Sequence, residues 1–302
     1  MICGAFVSIS ICSENAKGQS VKKQIQYINL FPKLRTETGC FRIPSLITAP
    51  NGDLITAIDQ RLSSCADLKG NRDINIVIRR SSDNGKTWSA LQTVVNYPLG
   101  QSASDPSMIV DMDSKEIFMF FNFMDVDNQK DVYYFKYTSS KDNGKSWSVP
   151  HDITTQVCKT DWYHDFKFIT SGSGIQTSSG RLLHTMVNLN RGLYLFGTDN
   201  HGKDWFLIDT PIKPADESWV VELLDGSLVV NSRVNGTGIR YVHTSSNQGK
   251  TWTSNPDSLL SDPGCNASII RYTSMNEGSD KNRILFSHAN SQDKRENMTV
   301  RI

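Results

Sequence analysis

The 302-residue chain is poor in the features that usually announce a function. Its 32 Lys+Arg stand against 31 Asp+Glu, a net charge of +1. That balance offers no basic face, so neither a nucleic acid nor an anionic membrane surface is expected as a partner. No apolar run reaches the length of a membrane span. None of the six cysteines (3, 12, 40, 65, 158 and 265) forms C-x-x-C, and none of the six histidines falls in H-E-x-x-H or a paired ligand spacing, so no metal is expected. Gly172-Ser173-Gly174 begins a G-x-G but has Thr177 where G-x-G-x-x-G needs glycine, and no helical pattern follows. It is therefore no phosphate cradle, and no cofactor is expected.

What the chain does contain is a repeat. Ser81-Ser82-Asp83-Asn84-Gly85-Lys86-Thr87-Trp88 reads S-x-D-x-G-x-T-W, and copies recur at Ser140 to Trp147, at Thr198 to Trp205 in worn form, and at Ser245 to Trp252 with Asn247 for the Asp. Its glycines, at 85, 144, 202 and 249, lie 59, 58 and 47 residues apart, the scale of one propeller blade. The side chain at the Asp position accepts the N–H groups of a tight turn, Gly supplies positive φ, and Trp packs back over the hairpin. A single Asp-x-Gly is only a common turn, but Ser and Trp recur here at fixed offsets.

Upstream of the boxes come turn-plus-strand segments: Gly52-Asp53-Leu54-Ile55, Gly180-Arg181-Leu182-Leu183, Gly226-Ser227-Leu228-Val229 and a glycine-free Lys115-Glu116-Ile117-Phe118. Between the markers, stretches such as Ile74-Asn75-Ile76-Val77-Ile78-Arg79 and Ile239-Arg240-Tyr241-Val242-His243 alternate as half-buried strands do. Each repeat is read as one antiparallel sheet, and residues 21–302 as one all-β domain without a linker.

Residues 1–20 are read as a leader, because Met1 to Cys12 is apolar like the core of a secretory signal, although no basic segment precedes it. A secreted, cell-surface or periplasmic location is the expectation. Sequons begin at Asn235, Asn266 and Asn297; two sit close to arginines assigned below to a binding site, so they are read as chance.

Phe41-Arg42-Ile43-Pro44 ahead of the boxes resembles the bacterial-type sialidases (neuraminidases), and the resemblance runs from about Arg35 to Ile302. It implies a six-bladed β-propeller with its active site at the axis end opposite the boxes. It also implies exo-α-sialidase activity on sialylated glycoproteins, glycolipids or oligosaccharides. A sialic acid carries a carboxylate on its anomeric carbon, and planar guanidinium groups suit that ligand because they pair with it bidentately and keep their charge. By motif the three arginines are Arg42, Arg240 in Gly238-Ile239-Arg240, and Arg295 in Arg295-Glu296-Asn297-Met298-Thr299. Any one alone reads as a surface charge.

The family's spacing of an arginine and a loop acid six residues on falls on Arg61 and Asp67, which makes Asp67 the acid/base, with Asp73 as runner-up. Asp105 in Ser104-Asp105-Pro106-Ser107 matches the segment beside the sugar's 4-hydroxyl and N-acetyl groups, or is an ordinary Asp-Pro turn. Gln176, in Gly174-Ile175-Gln176 ahead of Gly180-Arg181-Leu182, matches a segment whose turn lies near the family's pocket. His184-Thr185 stands where the family usually has a Pro. Phe123, Met124 and Trp162 are read as walls of an N-acetyl pocket or as core. Cys40 and Cys65 each lie two residues before a site residue; a bridge between them is compatible with that, and free thiols are the default expectation.

Glu222 interrupts the apolar strand Trp219-Val220-Val221, and the resemblance makes it the second catalytic acid, which takes the proton of a nucleophilic tyrosine. The tyrosine's own motif, similar to G-Y-S-x-L, is absent from the chain. The turn-to-box distance of 21 residues from Leu228 to Gly249, applied to Leu285, places a fifth box glycine near position 306. The expectation is a chain lacking the end of blade five and the last blade. The rival readings are a catalytically dead sialic-acid lectin and an Asp-box protein-binding module.

Overall fold

Strands buried on both faces dominate the middle of the chain, as in Glu116–Asp125 (EIFMFFNFMD), where eight successive residues are buried. A lone antiparallel sheet with one wet face would alternate instead. Continuous burial means that a sheet with such a strand is packed between two neighbours.

The computed structural model describes residues 28–32, 34 and 39–302; the leader expected over 1–20, with Cys3 and Cys12, lies outside the described residues. Five antiparallel sheets follow one another as the blades of a β-propeller. Blade one is Cys40–Thr48, Leu54–Arg61, Ile74–Ser81 and Gln92–Val95, hydrogen-bonded in chain order. Blade two is Gln101–Asp111, Glu116–Asp125, Tyr134–Ser140 and His151–Asp152, with Gly172–Ser173 added in parallel to its first strand. Blade three is Ile175–Gln176, Leu182–Asn188, Gly192–Thr198 and Phe206–Ile212. Blade four is Ser218–Glu222, Leu228–Ser232, Ile239–Ser245 and Thr253–Ser261, and blade five is Ser268–Thr273, Arg283–Ala289 and Met298–Arg301. The described residues thus form five blades, the fifth with three strands.

The core lies between blades. Ile55, Ala57, Ile76 and Ile78 of blade one pack with Ile117, Met119 and Phe121 of blade two. Phe118 and Phe120 on the other face of that strand meet Met186, Phe196 and Trp205 of blade three. Leu183 and Leu195 then meet Val220 and Val230 of blade four, and Val221 meets Ile269 and Phe286 of blade five. Each such side chain contributes about 1.5–3 kcal/mol by leaving water.

Each box closes the turn between a blade's third and fourth strands. In the second copy Asp142 accepts Lys145 N at 3.0 Å, Ser146 N at 2.8 Å and Ser146 Oγ at 2.5 Å, while Ser140 Oγ takes Gly144 N at 2.8 Å. Gly144 has φ +77°, and a Cβ there would lie 2.6 Å from Ile55 Cδ1 of blade one, so glycine meets both a conformational and a packing demand. In the worn third copy Asn200 replaces the acid and still accepts Asp204 N at 3.0 Å.

Strand polarity now fixes two ends. A blade's first strand runs down to the turn at Gly52, Gly180 or Gly226, its third runs down to a box, and both turns share the lower end. The loops joining second to third strands, and the starts of first strands, share the upper end.

Candidate active site

Two of the first strands carry the same device at their upper ends. Register shifts fall between Arg42 and Ser45 in blade one and between Ser104 and Ser107 in blade two. In each bulge the residue before proline is left-handed, Ile43 at φ 60° and Asp105 at φ 62°. Such a conformation is costly for a β-branched residue and tends to occur at functional sites. Here the bulges sit beside Arg42 and at Asp105 itself.

Arg61 ends the second strand of blade one with no exposed surface. Its Nε and Nη2 donate to Asp59 Oδ2 at 3.1 and 2.9 Å, and its Nη1 donates to the carbonyls of Cys65 (3.1 Å) and Ala66 (2.8 Å) and to Asp67 Oδ1 (2.7 Å). Arg42 Nη1 reaches the same Asp67 oxygen at 3.0 Å and the Cys65 carbonyl at 3.1 Å. Burial pushes the Asp67 carboxyl up, but the Arg61 hydrogen bond and the charges of Arg61, Arg42 and Arg295 together hold it below the usual range. Asp59 also accepts Ser104 Oγ at 2.7 Å and the Asp105 N–H at 2.9 Å, tying blade one to blade two. Burial, and then the charge of Asp59, push Asp105 up to about 7; Asn122 Nδ2 donates to it at 3.1 Å.

The Asp67 loop is also held covalently. Cys40 and Cys65 form a disulfide with their Cα atoms 5.6 Å apart, correcting the expectation of free thiols. The physical reason is the fold-back of the loop: Arg61 grips the Cys65 and Ala66 carbonyls, and Cys40 is the register partner of Arg61. Cys158 and Cys265 are free.

Blade four brings further charged residues to this end. Arg240, 1% exposed, donates from Nη1 to Asp262 Oδ2 at 3.1 Å and to the Cys265 carbonyl at 2.9 Å, and from Nε to Asn231 Oδ1. Burial pulls its guanidinium down to about 10, so it stays charged at neutral pH. Arg295, in the second-to-third loop of blade five, donates to the neighbouring Gly264 carbonyl at 3.3 Å, and its charge acts on Asp67. Arg42, Arg61, Asp67, Asp105, Arg240 and Arg295 are therefore brought together at the upper end.

Two expected residues are not. Glu222 ends the first strand of blade four at the lower turn, where its carboxylate accepts Ser178 N at 2.6 Å and Ser178 Oγ at 3.1 Å. Gln176 ends the first strand of blade three, donating to Asp111 Oδ1 at 3.1 Å and Asp113 Oδ2 at 3.0 Å and accepting Met112 N at 2.8 Å. Both belong to the box end of the propeller. The acid at the upper end of the Glu222 strand is Glu217, five residues earlier and about 16 Å away at strand rise. Glu217 Oε2 accepts Arg233 Nη1 at 2.6 Å; burial raises it while Arg233 opposes, with a net shift upward. Asp105 and Arg240 feel its charge or act on it. Sequence reading missed Glu217 and Arg233; the signal available was polarity, since a site at the end opposite the boxes calls for a residue before the strand rather than after it.

Asp73 lies at the far end of the Asp67 loop, raised by burial, and among the described residues its carboxylate has no ion-pair partner. Met124 is core with Leu68, Ile74 and Tyr133, and Trp162 is core against Tyr194. Phe123 is 7% exposed, with Lys136 Nζ 3.7 Å from its ring centre. The three act as packing. Asn235 Nδ2 and Asn266 Nδ2 are committed to Asp216 and Ser171.

Five guanidinium groups (Arg42, Arg61, Arg233, Arg240, Arg295) thus face Asp59, Asp67, Asp105, Glu217 and Asp262, one of which titrates only near neutrality. Planar guanidinium groups gathered at one end of an Asp-box β-propeller offer donors of the geometry that pairs with a carboxylate. The chain belongs to the BNR repeat-like domain family, whose model matches residues 43–302.

Among known proteins it is similar to a sialidase of Bacteroides fragilis, 30% identical over 296 residues covering 88% of this chain and 53% of that protein. It is similar also to a sialidase of Micromonospora viridifaciens, 32% identical over 289 residues covering 87% of this chain and 44% of that one. The solved structure of a Hadza microbial sialidase superposes with TM-score 0.75 at 27% identity, over 86% of this chain and 55% of that chain. The chain spans about half the length of these relatives. No described helix is long and apolar enough to cross a membrane.

Proposed function

We propose that this propeller is the catalytic body of an exo-α-sialidase, which removes terminal α-linked sialic acids from glycoproteins, glycolipids or oligosaccharides with retention. The observation that carries the reading is that Arg42, Arg240 and Arg295 come from three different blades to one end, with Arg42 and Arg295 acting on Asp67 and the charge of Glu217 acting on Arg240. In this reading the three arginines bind the sugar carboxylate and Asp105, protonated at mildly acid pH, donates to a sugar oxygen.

Asp67 is the acid/base. Arg42 and Arg295 help to hold it ionised. A ligand carboxylate that takes up those two guanidiniums removes part of that hold, so Asp67 gains a proton when substrate arrives and gives it to the leaving oxygen. Glu217, in place of Glu222, is the base that activates a tyrosine nucleophile. A neutral phenol is not repelled by the carboxylate on the reacting carbon, as an aspartate would be. None of the described tyrosines hydrogen-bonds to Glu217. The nucleophile is proposed to lie outside the described residues, together with the sixth blade. A secreted or periplasmic setting agrees with the Cys40–Cys65 disulfide.

Calorimetric titration of the 302-residue chain with an unsaturated sialic acid analogue tests the reading, with glucuronic acid as the comparator. Selective binding of the sialic analogue is expected. Equal binding of the two, or none, overturns it.

A further inference from the structure

We propose that Asn71 is the positioning residue of Asp67: its buried amide ties together the two legs of the loop that carries the acid. The proposal rests on the sialidase reading of the pocket and gives the acid a support that touches neither sugar nor proton.

Residues 62–73 join the second and third strands of blade one, Leu54–Arg61 and Ile74–Ser81, where an ordinary hairpin would use about two to five residues. Asp67 stands near the middle of this loop with 78% of its side chain exposed, so packing of its own holds it little. Asn71, on the return leg, has no exposed surface. Its Oδ1 accepts Ser63 Oγ and, at 3.0 Å, the Asp73 N–H, while its Nδ2 donates to the Ser64 carbonyl at 2.7 Å and the Ala66 carbonyl at 3.4 Å. Both lone pairs and both amide hydrogens are thereby engaged. The bonds to Ser63, Ser64 and Ala66 cross to the leg before the acid. Arg61 Nη1 donates to the same Ala66 carbonyl at 2.8 Å, so Asn71 and Arg61 share a grip one residue ahead of Asp67. The return leg is in turn pinned to blade two, because Ser102 Oγ donates to the Asn71 carbonyl and Gly100 N to the Arg72 carbonyl, each at 2.8 Å.

Other contacts do not perform this task. Arg61 and the Cys40–Cys65 disulfide grip the loop at Cys65 and Ala66, before the acid. Arg72 pairs bidentately with Asp127 at 2.7 and 2.6 Å, and Lys69 reaches Asp131 at 2.8 Å. All four of those side chains are more than a third exposed, where an ion pair counts for little. A buried amide deprived of its partners cannot turn to water instead. Satisfying Asn71 therefore fixes the path of the chain on either side of Asp67, and with it the distances of 2.7 and 3.0 Å from the acid to Arg61 and Arg42.

The test uses the full 302-residue chain labelled with ¹³C at aspartate carboxyls, the Asp67 resonance being identified by its loss in Asp67→Asn. Burial raises Asp67, but the hydrogen bond and charge of Arg61 and the charge of Arg42 hold it below the usual range, so an acid that drifts from them takes up its proton at higher pH. Asn71→Leu, similar in size but without donors or acceptors, is expected to raise the midpoint by about half a pH unit or more, roughly a threefold gain in proton affinity. Leu195→Ala, which opens the core between blades three and four, is expected to destabilise the protein and leave that midpoint where it was. An unchanged midpoint in a folded Asn71→Leu protein overturns the proposal, and so does an equal rise in Leu195→Ala, which would trace the shift to a loosened fold. Should Asn71→Leu fail to fold, Asn71→Ser keeps a polar group at the site but is too short for the Ser64 and Ala66 carbonyls; a raised midpoint there supports the proposal and an unchanged one overturns it. If the wild type binds no sialic acid analogue, the functional reading fails, while the titration still decides whether Asn71 positions Asp67.

Discussion

Arg61 hydrogen-bonds to Asp67 at 2.7 Å from a guanidinium with no exposed surface, which Asp59 grips from behind through Nε and Nη2. The exposed acid is thus oriented by a buried ion pair, and the pair spans two blades through Ser104 and the Asp105 N–H. Removing one partner leaves the other charged and dry. Asp59→Ala is expected to cost about 3–5 kcal/mol in urea unfolding, with Arg61→Met similar, whereas Asp59→Leu with Arg61→Met recovers much of the loss. A cost below about 1 kcal/mol for Asp59→Ala would show that water reaches Arg61.

The two ends of the propeller predict opposite results for residues that sequence reading had grouped together. Arg42→Ala and Arg240→Ala are each expected to weaken binding of the unsaturated analogue by at least about 2 kcal/mol, as for a charge-pair contact. Glu222→Gln and Gln176→Ala, bonded to Ser178 and to the Asp111 turn, are expected to leave affinity within about twofold, since they are screened and remote. Calorimetry on the four variants decides it. Loss of binding in Glu222→Gln would put the pocket at the wrong end.

The repeat made the fold legible because each box signals its own turn locally, through Asp, Gly and Trp at fixed offsets, and the turns alone imply the sheets. Arg42 and Arg240, near the upper ends of their strands, and Arg295, in a loop of blade five, stand at the end of the propeller opposite the boxes, as the resemblance implies. The place of the acids was not legible: Glu217 and Glu222 stand at opposite ends of one short strand, and only the direction of that strand says which lies at the end of Arg240 and which at the box end. The Asp59 clamp and the Arg233–Glu217 pair were invisible for a similar reason: each joins residues whose contact depends on cross-strand register, which the sequence pattern does not specify to the residue.

The disulfide permits a stability prediction from its position alone. It closes 25 residues of chain between the strand of Arg42 and the loop of Asp67. Loop-closure entropy for that length is about 3.5 kcal/mol, and Cys40→Ala with Cys65→Ala is expected to lower unfolding free energy by that amount in urea. The Arg61 contacts to the Cys65 and Ala66 carbonyls remain, so the loop is expected to keep its place and analogue affinity to fall less than about tenfold. A total loss of binding would mean that the covalent link, not Arg61, holds the acid.

Two groups of opposite sign set the pH response. His184 is buried, with Nδ1 accepting the Thr185 N–H at 2.6 Å and Nε2 bonded to Ser107 Oγ, and burial pulls it down to about 3. A histidine depressed in the folded state gives stability that is present above its unfolded value of about 6.5 and is lost as pH falls toward 3, because the unfolded chain takes the proton first. Asp105 behaves the other way. Raised to about 7, it contributes stability that is present below about 4 and lost as pH rises through 7. It also bears on the ligand: ionisation places a further negative charge in a pocket for an anion, so analogue binding is expected to weaken several-fold between pH 6 and 8. Asp105→Asn is expected to remove that step, and His184→Gln to flatten the acid limb of the stability curve without touching binding. A binding step that survives in Asp105→Asn would transfer the titration to Glu217, another carboxyl that burial raises.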